Sequence, residues 1–359
     1  MGPALLRQLL SRYGSAEGVF AHVAEGVPGA SPSLRALADA IVAGRDAALA
    51  FADGQVERAE RDGVRMLCVG GEGYPARLAQ CPDAPPVLFV RGGVNFEAAK
   101  VLSVVGTRHP SGEGRDLCDA LVADLCRRHP DLVVVSGLAF GIDIAAHRAA
   151  LRMGRPSVAV VAHGLDTLYP AQHRDEAVRM EREAGAVVSE FAYGVRPEAY
   201  NFVARNRVIA GLADATLVVE SAPRGGSLIT TRCAFDYDRQ VLAVPGFPGR
   251  ELSRGCNDLI RRNVAALVTS ADDVDAAMAW DVPAAVRQAH SAQPSLFVEP
   301  QGPEQEAIVA ALRAEDGLTA SLIGQRARLP IATVNVELLN MEFAGIVKSM
   351  PGNSYRLLI

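Results

Sequence analysis

A parallel, doubly wound α/β sheet flanked by smaller helical units is the fold class the sequence predicts, and three observations predict it. Six short apolar runs recur through the middle of the chain, at residues 101–106, 132–137, 157–164, 186–190, 215–220 and 240–246. Amphipathic stretches separate them, as at 114–129, 141–154 and 174–185. The runs are continuous Val, Ala and Leu rather than alternating, which marks strands covered on both faces. Helices recurring between such strands imply a parallel sheet with helices on either side.

The flanks read differently. Residues 1–62 carry the short helical patterns LLRQLL, GSAEGVF and SLRALADAIVAGRDAALA, joined by Gly and Pro turns, which suits a small helical domain. The opening residues read as the middle of such a domain, so it is expected to begin upstream of Met1 or to be abbreviated. The α/β domain takes residues 63–280, and a proline-bounded, weakly periodic stretch over 281–300 reads as a linker. Residues 301–359 give three helical patterns and then two strands around a PGN turn, the plan of a winged helix-turn-helix domain. That region holds five basic and six acidic residues, and its recognition-helix candidate, IATVNVELLNM, has a glutamate and no arginine or lysine. It is expected to contact protein or tune DNA binding rather than read a duplex.

Composition narrows the function classes. With 359 residues, 49% hydrophobic and 21% charged, the chain can bury a globular core. It has neither an apolar run of roughly 18–20 residues nor a signal-peptide core, so a cytoplasmic protein without membrane insertion is expected. Six cysteines form no C-x-x-C pair, which argues against a zinc ribbon or disulfide framework, and no metal site is expected. The formal net charge of −5 opposes wholesale coating of a duplex, yet residues 196–262 hold ten arginines against seven carboxylates. Only Lys100 and Lys348 are lysines, so nearly every positive site offers a planar, multi-donor guanidinium suited to phosphate oxygens.

Ligands of open parallel sheets collect at the carboxyl ends of the strands, where helix amides begin unpaired. Three turns there are rich in small polar residues: Gly106-Thr107-Arg108 through Ser111, Ser136-Gly137 through Gly141 and Asp143, and Arg224-Gly225-Gly226-Ser227 through Thr230. Glycine lets phosphate approach the backbone, hydroxyls donate to it, and Arg108 supplies a directional charge. The competing reading of each single turn is tight strand-to-helix geometry with capping hydroxyls. No G-x-x-x-x-G-K-[ST] or G-x-G-x-x-G cofactor fingerprint is present, and no cofactor is expected.

Arg205-Asn206-Arg207 is the second electrostatic signal. Arginines at i and i+2 of a helix do not share a face, so they could grip neighbouring phosphates, or one could anchor the fold through a carboxylate. Asp143 and His147, at i and i+4, could make a proton-transfer pair, but helix-start stabilisation by Asp143 and local packing of His147 are favoured. His163 and His173 lie in a loop suited to base or substrate contact, and Glu190 and Glu220 end strands where pairing to arginine competes with catalysis. Exposed aromatics such as Tyr169, Tyr193, Tyr200 and Phe202, with Tyr169 and Phe202 foremost, could stack on unpaired bases, which favours single strands over duplex.

The strings GYPARLAQCPDAPPVLFVRG, VVGTRHPSGEG, VSGLAFGIDIAAHRAAL, VAHGLDTLYPAQH, VVSEFAYG, FVARNRVIAGLADATLVVESAPRGGSLITTRCA and VPGFPGRELSRGCNDLI closely resemble, in order over residues 73–261, the bacterial DNA-processing family DprA, also called Smf. The resemblance implies an extended Rossmann-like domain that binds single-stranded DNA, forms a homodimer and helps load the RecA recombinase on incoming strands during natural transformation. It implies no catalytic cycle. The flanks resemble the family's variable extra domains, a helical one of SAM or helix-hairpin-helix type and a winged helix. By resemblance, Gly106, Thr107, Arg108 and Ser111 form the backbone-binding turn, and Ser136, Gly137, Gly141 and Asp143 a second loop. Arg205, Asn206 and Arg207 match the family's RNR element, while Gly226, Ser227 and Thr230 match part of the later turn. Where the family commonly has lysine-serine-glycine, this chain has Arg224-Gly225-Gly226, keeping positive charge and losing a hydroxyl, and Asn263-Val264 replaces a glycine-alanine pair. The alternatives are a Rossmann-like nucleotide phosphoribohydrolase, whose P-G-G-x-G-T-x-x-E string is absent, and a winged-helix transcription regulator.

Overall fold

The continuous apolar runs become strands because helices claim both of their faces. The computed structural model describes residues 8–9, 12–23, 31–280, 302–314, 318–343, 346–350 and 354–357. These belong to two units, Met1–Trp280 and Asp281–Ile359.

The first unit begins with helices α1 (Ala16–His22), α2 (Pro32–Ala43) and α3 (Arg45–Arg61). Ser31 caps α2 and proline occupies its first turn, where a missing N–H costs nothing. Leu9, Val19, Leu34 and Ala38 form a small core of their own, while Ala59 of α3 packs into the sheet layer beside Phe89. Then follow β1 (Arg65–Cys68), α4 (Ala76–Ala79), β2 (Val87–Gly92), β3 (Lys100–Val105), α5 (Gly112–Arg128), β4 (Leu132–Ser136), α6 (Ile142–Arg152) and β5 (Ser157–Val161). After these come α7 (Arg174–Arg182), β6 (Ala186–Ser189), α8 (Ala199–Gly211), β7 (Ala215–Val218), α9 (Ser227–Asp236), β8 (Gln240–Ala243), α10 (Glu251–Arg261), β9 (Ala266–Leu267) and α11 (Ala271–Met278).

The nine strands lie in the order β1-β2-β6-β5-β4-β3-β7-β8-β9. From β6 to β9 all pairings are parallel, while β1 with β2 and β2 with β6 are antiparallel. The parallel sheet expected from six runs is therefore a mixed sheet with three further strands: a two-strand antiparallel edge and the two-residue β9. Short runs interrupted by Gly and Pro, as around β1 and β2, carry too little periodicity to announce themselves.

Alternation within β3 shows how the layers form. Leu102 and Val104 join Val122, Leu125 and Ala146 of α5 and α6, whereas Val101 and Val105 join Val208 and Ile209 of α8 on the other face. Each fully buried Leu of this kind contributes about 1.5–3 kcal/mol. Because β3 neighbours β4 on one side and β7 on the other, chain order reverses between β3 and β7. The helix after β3 covers one face and the helix after β7 the other, which leaves a crevice at the carboxyl ends of these two strands.

The second unit contains α12 (Pro303–Ala314), β10 (Leu318–Thr319), α13 (Ala320–Ala327), α14 (Ile331–Phe343), β11 (Val347–Met350) and β12 (Ser354–Leu357). Its strands order β10-β12-β11, and Ile308, Leu312, Ile323, Val334 and Leu338 form its core. This is a winged-helix arrangement, with β10 as the strand the sequence did not announce. The linker 281–300 and the PGN turn lie outside the described residues. Among those residues no helix is long and apolar enough to cross a membrane.

One glycine is fixed by geometry rather than by turn preference. Gly141 has φ +84°, and a Cβ there would strike the Thr107 carbonyl oxygen and come within 2.7 Å of the Arg108 carbonyl carbon. Gly141→Ala is expected to lower the unfolding free energy by about 1–3 kcal/mol from the backbone alone, read as a fall in the urea midpoint. An unchanged midpoint would contradict this account of the turn.

Candidate nucleic-acid interface

The crevice between the ends of β3 and β7 is a cleft of about 500 Å³ lined by Gly106, Thr107, Arg108, Phe202, Arg205, Asn206, Gly226, Ser227 and Thr230 among others. Its near wall is the turn after β3. A Cβ on Gly106 would meet Ile142 Cγ1 at 2.5 Å, so only glycine lets the strand pass beneath the start of α6. Thr107 ties this turn across the crevice, its N–H donating to the Glu220 carbonyl at 2.8 Å, while its own carbonyl accepts from Ile142 N at 3.2 Å. Arg108, next in line, is exposed and forms no ion pair among the described residues.

The far wall is the first turn of α9, which has no side-chain cap. Gly226 is exposed there, with open space where a Cβ would stand. The Leu228 and Ile229 amides already donate to the Gly225 and Gly226 carbonyls, each at 3.1 Å, so the positive dipole end and the Gly226 and Ser227 amides are what this helix start presents to an anion. Asn206 of α8 reaches this turn, donating Nδ2–H to the Gly226 carbonyl at 3.4 Å.

The floor is electrostatic. Arg205 is buried, donates to the Val160 carbonyl, and sits with Asp143 against the bare Cα of Gly137; a Cβ there would meet Asp143 Oδ2 and Arg205 Nη1, each at 2.6 Å. Burial pulls the Arg205 guanidinium down to about 10; the Asp143 carboxylate opposes that shift and Arg108 adds to it. Burial pushes the Asp143 carboxyl up, against the pull of Arg205, the Ala139 amide, the Ser136 hydroxyl and Arg108. Two guanidiniums thus share one poorly solvated carboxylate, leaving positive potential that an entering anion would relieve.

Both cations lie near the Phe202 ring, its centroid 5.3 Å from the Arg108 guanidinium carbon and 5.9 Å from that of Arg205. Tyr169, 47% exposed, meets Phe202 edge-on at 5.9 Å between centroids. Buried histidines hold the loops in place. His163 Nε2 accepts from the Tyr169 backbone N–H at 3.1 Å, with its Nδ1 against the Gly164 carbonyl at 2.9 Å. His173 Nδ1 contacts the carbonyl of Leu138 at 2.8 Å, and its ring packs on Phe140. These two histidines support the loops rather than face a ligand, contrary to the contact role the sequence left open for them.

Several expected contacts are corrected by what the side chains already do. Ser136 is fully buried and donates to the Val104 carbonyl at 2.6 Å. Ser111 caps α5, accepting from Gly114 N at 2.9 Å and donating to Glu220 Oε1 at 2.7 Å. Ser227 is buried, its hydroxyl bonded to that of Ser221 at 2.9 Å, so only its backbone can serve the cleft. Gly137 is buried under Arg205. Arg207 turns away, donating to the Asp83 carbonyl at 2.6 Å and to the Glu190 carboxylate; the anchoring alternative holds for it. Arg224 is exposed on the loop before α9, outside the cleft lining. Tyr193 is buried, edge-on to Phe89, and Tyr200 is 78% exposed away from the lining.

The acid–base candidates are likewise engaged. Asp143 faces Arg205, and His147 Nδ1 bonds to Ser157 Oγ at 2.7 Å instead of to Asp143. Glu220 receives Ser111, and Glu190 receives Arg207. Among the described residues no cluster of His, Cys, Asp and Glu could hold a metal ion.

The sequence pattern of the family described as DNA recombination-mediator protein A matches residues 65–279, and that of the DprA winged helix domain matches residues 290–353. The chain belongs to the DprA/Smf family. Protein Smf of Escherichia coli is 36% identical over 306 residues, 83% of this chain and 79% of its own. DNA processing protein DprA of Streptococcus pneumoniae is 41% identical over 204 residues, 56% of this chain and 70% of its own. The X-ray structure of the S. pneumoniae DprA superposes with a TM-score of 0.63 at 31% identity, covering 76% of this chain and 92% of that one. The Helicobacter pylori DNA processing protein A, described for its single-stranded DNA binding mode, matches at 23% identity with a TM-score of 0.54, over 61% of this chain and 96% of that one, and supports the fold. The family signature spans the whole cleft. The family is described as that of a DNA recombination mediator.

Two outcomes follow from these assignments. Arg207→Met is expected to lower the unfolding free energy by about 3 kcal/mol by stranding Glu190, with part restored in the double variant with Glu190→Gln, read in a urea double-mutant cycle; additive losses would exclude the pair. Burial lowers His147 to about 3 from 6.5. It is neutral in both states above pH 6.5, whereas below that the unfolded chain takes a proton the native state refuses. Stability should therefore fall on acidification from 6.5 towards 3, by up to about 1.4 kcal/mol per pH unit for this group, and His147→Asn should flatten that slope.

Proposed function

We propose that this chain is a single-stranded-DNA-binding recombination mediator, which grips the strand in the β3–β7 cleft, protects incoming DNA and helps load RecA during natural transformation. The observation that carries the reading is the arrangement at Arg108: an exposed guanidinium without an ion-pair partner among the described residues, 5.3 Å from the Phe202 centroid, with the buried Arg205 near the same ring. Phosphate at Arg108 and at the Gly226 and Ser227 amides, with a base against Phe202 or Tyr169, needs a strand whose bases are free, which a duplex does not offer. Of the expected contacts, Gly106, Thr107, Arg108, Asn206, Gly226 and Ser227 through its backbone remain the proposed strand-binding set, with Tyr169 and Phe202 for bases, while Thr230 is buried and drops out of it. Arg205 acts through its field. Family membership supports DNA as the partner, and by the same likeness a homodimer, a RecA partner and a cytoplasmic location are part of the proposal. Helix α14, with Glu337 and no arginine or lysine, favours a protein contact for the winged-helix unit.

A salt-titrated comparison of single-stranded and duplex oligonucleotides tests the reading. Single strands should bind more tightly at every salt concentration and with little dependence on base composition. Arg108→Ala should weaken binding alike for all compositions and lower the logarithmic salt slope by roughly 0.7. Tighter duplex binding, or an unchanged slope in a folded variant, would sink the assignment.

A further inference from the structure

The cleft does not end at Arg108, because the same residue forms the lip of a second hollow. That hollow has a volume of about 680 Å³ and lies between the start of α5, the outer side of α6 and the turn before α7. Phe140 stands on its rim, 43% exposed. The ring is not loose: it packs edge-on against the buried His173 at 4.8 Å between centroids, and His173 is itself held by the Leu138 carbonyl. A fixed, half-bare aromatic plate on a loop costs apolar exposure that burial elsewhere would avoid.

The charges around it are ordered. Arg148 is engaged by Glu176 and Arg152 by Asp119, each at 2.7 Å. Arg108 and Arg115, both exposed, form no ion pair among the described residues. Asp116 also lines the hollow, so the lining carries four guanidiniums against two carboxylates. Two unpaired guanidiniums beside a rigid aromatic face suit a nucleotide, with phosphate at the cations and base on the ring.

We infer that this hollow is a second nucleotide subsite, joined to the first through Arg108, in which a strand too long for the first cleft places a base on Phe140 and a phosphate at Arg115. The inference rests on the single-strand reading above and extends it beyond the β3–β7 cleft, along the outer side of α6.

The test uses the full chain with a tetrathymidylate, short enough for the first cleft, and an oligothymidylate of about twenty nucleotides. Phe140→Ala should weaken the long oligonucleotide roughly tenfold, and Arg115→Ala severalfold, while both keep tetranucleotide affinity within about twofold. Arg108→Ala should weaken both lengths. Phe140→Trp should restore long-strand affinity, and its added emission should be quenched by the long oligonucleotide and not by the short one. Equal losses for both lengths in Phe140→Ala would mean that Phe140 shapes the first cleft, which overturns the inference. No loss for either length in both variants, with Arg108→Ala still impaired, overturns it while sparing the proposed function. Failure of the unaltered chain to bind either oligonucleotide would overturn both.

Discussion

A guanidinium buried at the end of a parallel sheet has to be held from several directions, and Arg205 is held from four. The Val160 carbonyl of β5 accepts from it, Asp143 of α6 faces it, the bare Cα of Gly137 makes room for it, and the Phe202 ring lies beside it. Three of those contacts lie along the β4–α6–β5 crossover and the fourth on α8 itself, so one side chain of α8 fixes the relative height of the β4 and β5 ends and of the α6 start. Because Asp143 is itself pushed towards its neutral form by burial, the arrangement is stable without being electrically quiet. The surplus field emerges where the backbone is barest, between Gly106 and Gly226, and the binding properties proposed for the cleft inherit it.

Rigidity around that field comes from buried imidazoles. His147, His163 and His173 are all buried and hydrogen-bonded, and burial lowers the first two, so those two act as hydrogen-bonding struts and not as charges near neutral pH. His163 fixes the backbone at Tyr169, and His173 fixes Leu138, a non-glycine residue at φ +63°, together with the Phe140 ring. The aromatic plates therefore stand on a scaffold that limits the ordering entropy lost when a flexible strand settles on them.

Much of the fold was legible because buried strands write themselves as uninterrupted Val and Ala, and the six central runs became six of the parallel strands. Strands β1, β2 and β9 were not, since an edge strand of two to six residues among glycines and prolines carries almost no period. At the cleft, the glycine-rich turns and the adjacent Arg108 were legible from their strand-end position. Which hydroxyls were free was not: Ser111, Ser136 and Ser227 look equally available in a string, and only tertiary partners reveal that each is already used. Arg205 and Arg207 show the same limit, because helical spacing says that they diverge without saying that one is buried beside Asp143 and the other pairs with Glu190. Phe140 sits in plain view within SGLAFG, yet its meaning depends on His173, which arrives from another loop.

The two-residue strand β9 closes one end of the nine-stranded sheet, pairing with β8 only through Ala266 and Leu267. Beyond it there is too little extended backbone to template another chain by main-chain ladder. A second subunit meeting this flank would have to be recognised through side-chain relief on the neighbouring helices, so that association could be strong or weak by substitution at a few surface positions while the sheet itself stays finite.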